Sequence, residues 1–316
     1  MNIVITGGAG FIGSNLANEL CKNHKVLVID NFDNNERFSN NKRKYFGTYK
    51  NLLEFDGLIY SANLLDDEFY AMIDSFAPNV IYHFAAISDT TVYDEEIVFK
   101  SNINTFYKII ALAKKHNAKL IYASSASVYG DAPSPQTVGL NEIPKNPYAF
   151  SKLTMDKIAK DTGAVGLRYF NVYGKNEFYK DTTASMILQF ALQILNNNSP
   201  KLFVGSDKIF RDFVYIKDVT NANIAAMNAN GGVYNVGSGK ARSFESIVDI
   251  LQDLLIKRGI LKERLQKTYI PNPYTNAYQF HTEAKLDDSF SYRPIYSLED
   301  GINDYLDEII KIFNNK

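Results

Sequence analysis

The chain has 316 residues, room for roughly two domains at about 150 residues each. Its 46% hydrophobic and 22% charged residues exclude a disordered or fibrous chain, and about three quarters of the unfolded surface can be buried without staples. With 34 Lys and Arg against 35 Asp and Glu, the formal charge of −1 gives no electrostatic argument for nucleic acid or an anionic membrane as partner.

Along the chain, Asn2–Thr6 is a compact apolar run that predicts a strand; it is too short, and lacks the basic flank, for a secretory signal. Phe11–Asn23 follows with apolar residues at helical spacing, ending near Cys21. That single cysteine rules out an intrachain disulfide and fits a reducing, cytoplasmic setting. Strands are predicted at Lys25–Ile29, Leu58–Ser61, Val80–Phe84 and Leu120–Ala123, with helices at Leu65–Phe76 and Glu95–Lys115 between them. Such alternation implies an α/β fold, a doubly wound parallel sheet whose ligand crevice lies at the carboxyl ends of the strands. Gly130–Pro147 reads as a long functional loop.

After Tyr169 the rhythm loosens, and helices predicted at Thr183–Leu195, Ser243–Ile256 and Leu298–Phe313 have no regular strand partners. This predicts a first domain over 1–170, with the chain returning to it around 213–237, and a smaller α/β substrate domain over 171–316. No stretch approaches the ~18 uncharged apolar residues of a membrane helix. His24, His83, His116 and His281 are scattered without metal-ligand spacing, so no metal is expected.

The first motif that carries chemistry is Gly7-Gly8-Ala9-Gly10-Phe11-Ile12-Gly13, placed directly after the first strand and opening the first helix. One glycine permits the tight turn, one lets the backbone approach a pyrophosphate, and Gly13 lets helix and strand pack closely. The phosphates would meet free N–H groups at the positive end of the helix. Asp30 closes the second strand about 20 residues on, where the dinucleotide (Rossmann) fingerprint wants a ribose acceptor. Asp30 favours NAD, whereas Arg37 could meet the extra phosphate of NADP, and the residues alone leave the choice open.

The second is Tyr148-Ala149-Phe150-Ser151-Lys152. At the start of a helix, Tyr148 and Lys152 share a face. Ser124-Ser125-Ala126-Ser127 ends a strand where the crevice should be. A serine, a tyrosine and a lysine around one alcohol form a proton-transfer site. For that work the phenol must fall from about 10 toward neutrality, helped by a neighbouring ammonium and a positive nicotinamide ring.

Together these motifs resemble the extended short-chain dehydrogenase/reductase superfamily, and Arg211-Asp212-Phe213-Val214-Tyr215-Ile216-Lys217-Asp218-Val219 resembles a hallmark of its nucleotide-sugar branch. A narrower set is similar to the ADP-glyceromanno-heptose 6-epimerase family, which supplies heptose for lipopolysaccharide cores. It comprises Ser88-Asp89-Thr90-Thr91, Arg168-Tyr169-Phe170-Asn171-Val172-Tyr173-Gly174, Phe178-Tyr179-Lys180, Thr183-Ala184-Ser185-Met186, Pro200-Lys201-Leu202-Phe203, Gly205-Ser206 and Ala277-Tyr278-Gln279-Phe280-His281-Thr282.

The resemblance implies tightly bound NADP, with NAD the alternative, and inversion of carbon 6 of an ADP-linked manno-heptose through a transient ketone. It assigns proton transfer to Tyr148 and Lys180, binding of the nicotinamide ribose to Lys152, and a hydrogen bond to the reacting oxygen to Ser125. Beyond Gly7, Gly10 and Gly13, its cofactor contacts map onto Phe11, Ile12, Asp30, Asn31, Arg37, Lys50, Phe84, Ala85, Ala86, Ile87, Ser88, Asn102, Lys152, Val172 and Lys180. Its substrate contacts map onto Ser88, Asn171, Thr182, Gln189, Phe203, Val204, Gly205, Ser206, Arg211 and Tyr278; a guanidinium such as Arg211 suits a pyrophosphate. Lys175-Asn176-Glu177 departs from the family's Pro-Arg-Glu, and Thr182 and Gln189 stand where serine and histidine are commoner. The family is often a ring of five subunits, so a homo-oligomer is expected.

Two other readings compete. A UDP-sugar 4-epimerase or sugar 4,6-dehydratase shares the superfamily motifs, but elimination needs a carboxylate pair that Ser125-Ala126-Ser127 does not supply. A non-catalytic NADP-sensing protein would not need Tyr148 and Lys152.

Overall fold

The computed structural model describes residues 1–33, 35–272 and 280–315. Strand β1 (Asn2–Thr6) runs into the glycine turn, and helix α1 (Phe11–Leu20) leaves it. Strands β2 (Lys25–Asp30) and β3 (Leu58–Ser61), helix α2 (Asp67–Phe76) and strand β4 (Val80–His83) follow. Helix α3 (Glu95–Phe99) passes through a π-turn at Lys100–Asn104 into α4 (Thr105–His116), which Asn117 ends in the left-handed conformation. Strand β5 (Lys119–Ser125), helix α5 (Pro147–Ala159) and strand β6 (Val165–Tyr169) come next.

Beyond them lie β7 (Asn171–Tyr173), α6 (Met186–Leu195), β8 (Lys201–Phe203), β9 (Phe210–Tyr215) and α7 (Ile216–Ala226). Then come β10 (Gly232–Val236), β11 (Ala241–Ser243), α8 (Phe244–Lys257), β12 (Thr268–Ile270) and α9 (Leu298–Asn314).

Seven strands form one parallel sheet in the order β10-β6-β5-β4-β1-β2-β3. Strand periodicity builds its two faces. Ile3, Ile5, Val26, Val28 and Ile121 join one core with α1 and α7, while Val4, Leu27, Ile29, Ile81 and Tyr122 join another with α2, α4 and α5. The order reverses between β1 and β4, which places a crevice above their carboxyl ends. Two small sheets, β11-β9-β7 and β12-β8, accompany α6, α8 and α9 in the second half.

Several expectations need adjustment. The helix expected at Glu95–Lys115 is divided by the π-turn, a feature associated with side chains that face a functional wall. The helix expected from Thr183 starts at Met186, because the Ser185 hydroxyl caps it through Leu188 N and residues 178–183 form a separate tight turn. Short strands do partner the late helices. Helix α7 was not expected; its Thr and Asn residues have low helix propensity, yet Asn223 is buried and accepts from the Tyr169 hydroxyl at 2.8 Å. Among the described residues no helix is long and apolar enough to cross a membrane.

Candidate active site

A cavity of about 560 Å³ opens at the carboxyl ends of the parallel strands, and both halves of the chain line it. Gly7, Gly10, Phe11, Ile12, Gly13, Asp30, Asn31, Phe84, Ala85, Ala86, Ser88, Ser125, Tyr148 and Lys152 contribute from the large sheet, and Asn171, Val172, Lys180 and Arg211 from beyond it.

Backbone proximity explains the glycines. Gly7 has φ +67, and a Cβ there would stand 2.7 Å from Ala85 N. A Cβ on Gly13 would run into the Gly7 carbonyl and lie 2.8 Å from the Gly8 Cα. Helix α1 is preceded by Gly10, which gives no side-chain cap bond, so its first-turn N–H groups are available to an anion. A cradle that side chains would fill, at the start of a helix, fits a dinucleotide pyrophosphate. Asp30 is buried and its Oδ2 accepts from Ala9 N at 3.0 Å; burial pushes its carboxyl up, and that N–H opposes the shift. Gly47 lies against it, since a Cβ there would be 2.6 Å from the Asp30 Cγ.

Of the basic residues expected near the cofactor, neither Arg37 nor Lys50 lies on the cavity wall. Arg37 is exposed, donates to Asn41 O at 3.4 Å and pairs with Arg43 in a small antiparallel bridge. The Lys50 ammonium stands 5.0 Å from the Tyr179 ring centre. Lys44 is on the wall instead, with its Nζ 2.6 Å from Glu36 Oε1. Lys44, Tyr45, Phe46, Gly47, Ala62 and Leu64 complete this end and were missed by the sequence reading. The rule that ligands sit at strand carboxyl ends points to Ala62, which directly follows β3.

The strip after β4 divides. Phe84, Ala85, Ala86 and Ser88 face the cavity, while Ile87 turns into an apolar cluster with Phe38, Val92 and Val98. Asn102, in the π-turn, is fully buried behind the wall. Its Oδ1 accepts from Ile87 N at 2.9 Å, and its Nδ2 donates to Ile87 O and Ser151 Oγ, both at 3.0 Å. Asn102 therefore shapes the strip from behind.

Asn146 caps α5 by accepting from Ala149 N at 2.8 Å, and Pro147 fits the first turn. Tyr148 and Lys152 then project one helical turn apart, with the Lys152 Nζ 5.8 Å from the Tyr148 ring centre. Burial pushes the Lys152 ammonium down to about 8, against the pull of Asp156. Burial also pushes the Tyr148 phenol up, and a hydrogen bond with Ser125 pulls it down. The phenol thus stands above its ordinary value, opposite to the direction the expected proton transfer calls for. The Ser125 Oγ also accepts from Ser127 N at 3.2 Å.

Lys180 projects from the turn Phe178–Thr183, and its ammonium stands 5.5 Å from the Phe11 ring centre. Burial pushes it down, and the Glu177 carboxylate opposes that shift. Asp30 is the one carboxylate among the described lining residues, so no acid–base carboxyl pair faces the cavity.

Of the substrate contacts expected, Ser88, Asn171 and Arg211 line the cavity. Arg211 is buried, with its guanidinium 6.0 Å from the Phe244 ring centre, and Phe213 and Phe244 join it on the wall. Thr182 and Gln189 lie off the wall, bonded to each other through Gln189 Nε2 and Thr182 O at 3.3 Å. Phe203 lies in the β8–β12 pair, Val204 is exposed, and a Cβ on Gly205 would meet open space. The buried Ser206 donates to Glu245 Oε1 at 3.1 Å. Tyr278 lies outside the described residues. The loop at Gly130–Pro147 does not line the cavity among the described residues. Its buried Gln136 ties it to Glu283 and Lys285 instead.

A family model described as NAD dependent epimerase/dehydratase family matches residues 3–237. The chain belongs to that family. This family member is 43% identical to the ADP-L-glycero-D-manno-heptose-6-epimerase of Helicobacter pylori, over 98% of this chain and 96% of that one, with a TM-score of 0.87. It is 27% identical to the UDP-N-acetylglucosamine 4-epimerase of Methanobrevibacter ruminantium, solved with UDP-N-acetylmuramic acid, over 98% of both chains with a TM-score of 0.85. It is 25% identical to a UDP-glucuronic acid 4-epimerase of Bacillus cereus, solved with UDP-glucuronic acid and NAD, over 99% of this chain and 100% of that one, with a TM-score of 0.82. The family member is thus an epimerase-type isomerase with a nucleotide-sugar enzyme as a near relative.

Proposed function

We propose that the chain inverts carbon 6 of ADP-D-glycero-manno-heptose to give the L-glycero epimer, for lipopolysaccharide core heptose supply, with NADP bound at the glycine cradle. The observation that carries this reading is the presence on one cavity wall of a phenol and an ammonium, Tyr148 and Lys180, with no carboxyl pair for elimination among the described lining residues. The 43% identity to a heptose 6-epimerase supports the choice of sugar over the UDP-sugar reading.

When bound, the nicotinamide would supply the hydride acceptor in its oxidised form and the hydride donor in its reduced form, and the oxidised ring's positive charge would draw the Tyr148 phenol down. Lys152 would hold the cofactor ribose, and Ser125 would donate to the reacting oxygen. Tyr148 Oη takes the proton of the carbon-6 hydroxyl in one sugar orientation, and Lys180 Nζ serves the other. Arg211, with Ser88 and Asn171, would hold the diphosphate and sugar. The same reading makes 1–170, with the return at 213–237, the cofactor domain and 171–316 the substrate domain, in a cytoplasmic homo-oligomer.

The test is incubation of the purified protein with ADP-D-glycero-manno-heptose and analysis of carbon-6 stereochemistry. Tyr148→Phe and Lys180→Met are each expected to lower kcat by about 10²-fold or more. Near-normal turnover of Lys180→Met would refute the two-base reading. Conversion of UDP-sugars with no action on the ADP-heptose would favour a 4-epimerase.

A further inference from the structure

One buried carboxylate holds the loop that carries Lys180. Glu177 is 0% exposed. Its Oε1 accepts from Gly174 N at 3.1 Å and from Ser185 Oγ at 2.8 Å, and its Oε2 accepts from Ser185 N at 2.7 Å. A single side chain thereby joins the backbone before the turn Phe178–Thr183 to the backbone after it, with Lys180 between the two ends. The Lys180 amide adds a bond to the Glu177 carbonyl at 3.0 Å.

The same loop is fastened to the helix of the glycine cradle. Asn176 Nδ2 donates to Ser14 Oγ at 3.0 Å, one residue past Gly13, and Asn15 Nδ2 donates to Lys175 O at 2.8 Å. Asn176 holds φ 73, a left-handed conformation that asparagine tolerates, and its backbone N–H donates to Glu308 Oε1 at 3.1 Å. The Asn176 side chain and the Lys175 backbone carbonyl therefore set this loop against α1.

A carboxylate without solvent costs free energy unless donors satisfy it. Here the donors come from both ends of the loop, so the charge and the loop shape depend on each other. We propose that Glu177 is a positioning residue for epimerisation, holding the Lys180 ammonium at the cavity wall in register with the cofactor helix. The inference rests on the reading of Lys180 as a proton-handling group. Glu177 acts through that lysine in two ways. It fixes where the amine stands, and its negative charge favours the charged form that burial disfavours. The other titratable or charged groups facing Glu177 are Tyr173 on β7 and Tyr305 and Glu308 on α9.

Glu177→Gln keeps the size, loses the charge and cannot accept from all three donors. With ADP-D-glycero-manno-heptose as substrate, kcat is expected to fall at least about tenfold while KM stays within about twofold. The limb of the pH–rate profile belonging to the lysine should move to lower pH, because losing the negative charge favours the neutral amine. A purely structural role would not move that limb, so an unmoved limb, whatever happens to kcat or the melting temperature, overturns the proposal. Should the Gln variant fail to fold, Ser185→Ala removes one donor alone; it should lower kcat severalfold at constant KM, and unchanged kcat there also overturns the proposal. Lys180→Met measured in parallel separates the two ideas. Near-normal turnover in that variant sinks the reading of the lysine itself, whereas an inactive Lys180→Met beside an unaffected Glu177→Gln sinks the positioning role alone.

Discussion

Asp181 follows Lys180 with φ 54 and ψ −131, a conformation that side chains disfavour and glycine accepts readily. Strain of this kind costs about 1–3 kcal/mol and persists where surrounding contacts over-determine it. Those contacts are the Glu177 bonds to Gly174 and Ser185. Asp181→Gly should relieve the strain and, after the extra entropy glycine loses on folding, raise stability by about 1 kcal/mol. The same change should loosen the turn and lower kcat. Urea denaturation checks the first effect, and a destabilised variant would place the strain elsewhere. Nothing in the residue type of Asp181 announced its conformation. Tyr148 and Lys152 were legible because a four-residue spacing on a helix survives folding unchanged. Lys180 was reached through the resemblance alone, since a lysine in a tight turn has no periodicity to mark it.

At the scale of elements, the segment from Glu36 to Lys44 forms a small hairpin beside Asp30, with Arg37 bridged to Arg43 and Lys44 turned to the cavity. Alternation along an extended strand separates these two cations. If NADP is the cofactor, Lys44 is better placed than Arg37 to meet its extra phosphate. Lys44→Ala should weaken NADP binding at least about tenfold in a fluorescence titration, one charge-assisted contact being worth about 1.5–3 kcal/mol, and leave NAD binding unchanged. Arg37→Ala should have the smaller effect, and the reverse ranking would restore Arg37 as the phosphate ligand. The sequence placed β1, β2 and β4 within a residue or two because buried strands are compact apolar runs, and α1 and α2 within a few residues because amphipathic helices carry period and length; the largely exposed β3 was marked by its apolar residue types alone. It missed β7, β8, β11 and β12 because three residues hold no period, and it also missed the longer β6, β9 and β10, whose runs mix Gly, Asn, Arg and Asp with apolar residues. The Arg211–Val219 hallmark spans β9 and the start of α7 and does structural work there. The buried Asp212 accepts from Ser238 N, Gly239 N and Ala284 N, and Asp218 accepts from Ile295 N and Tyr296 N. Two carboxylates thus anchor later segments against the sheet, which a linear motif could not disclose.

For the whole molecule, the central sheet buries a titratable group whose charge the fold rejects. His83 ends β4, is 1% exposed, stacks on Phe106 of α4 and pairs its Nδ1 with the Thr6 hydroxyl of β1 at 2.9 Å. Burial, with the Lys152 charge from α5 as a smaller cause, pushes this imidazole down to about 3. The unfolded chain protonates it near its ordinary value of about 6.5. Between those values the native state binds fewer protons than the unfolded state, so this group's contribution to stability falls as pH drops through the window. Buried carboxyls pushed upward, among them Asp30, Asp156 and Asp212, act in the opposite direction, so the net curve cannot isolate the histidine. A difference measurement can. His83→Gln removes the titration but leaves those carboxyls in place, and its stability deficit against wild type should shrink by about 2 kcal/mol between pH 7 and pH 5. Denaturant melts at the two pH values would show it. A deficit that stays constant would mean that His83 takes up its proton inside the sheet as readily as in the unfolded chain, and that the opposing Lys152 charge is weak there.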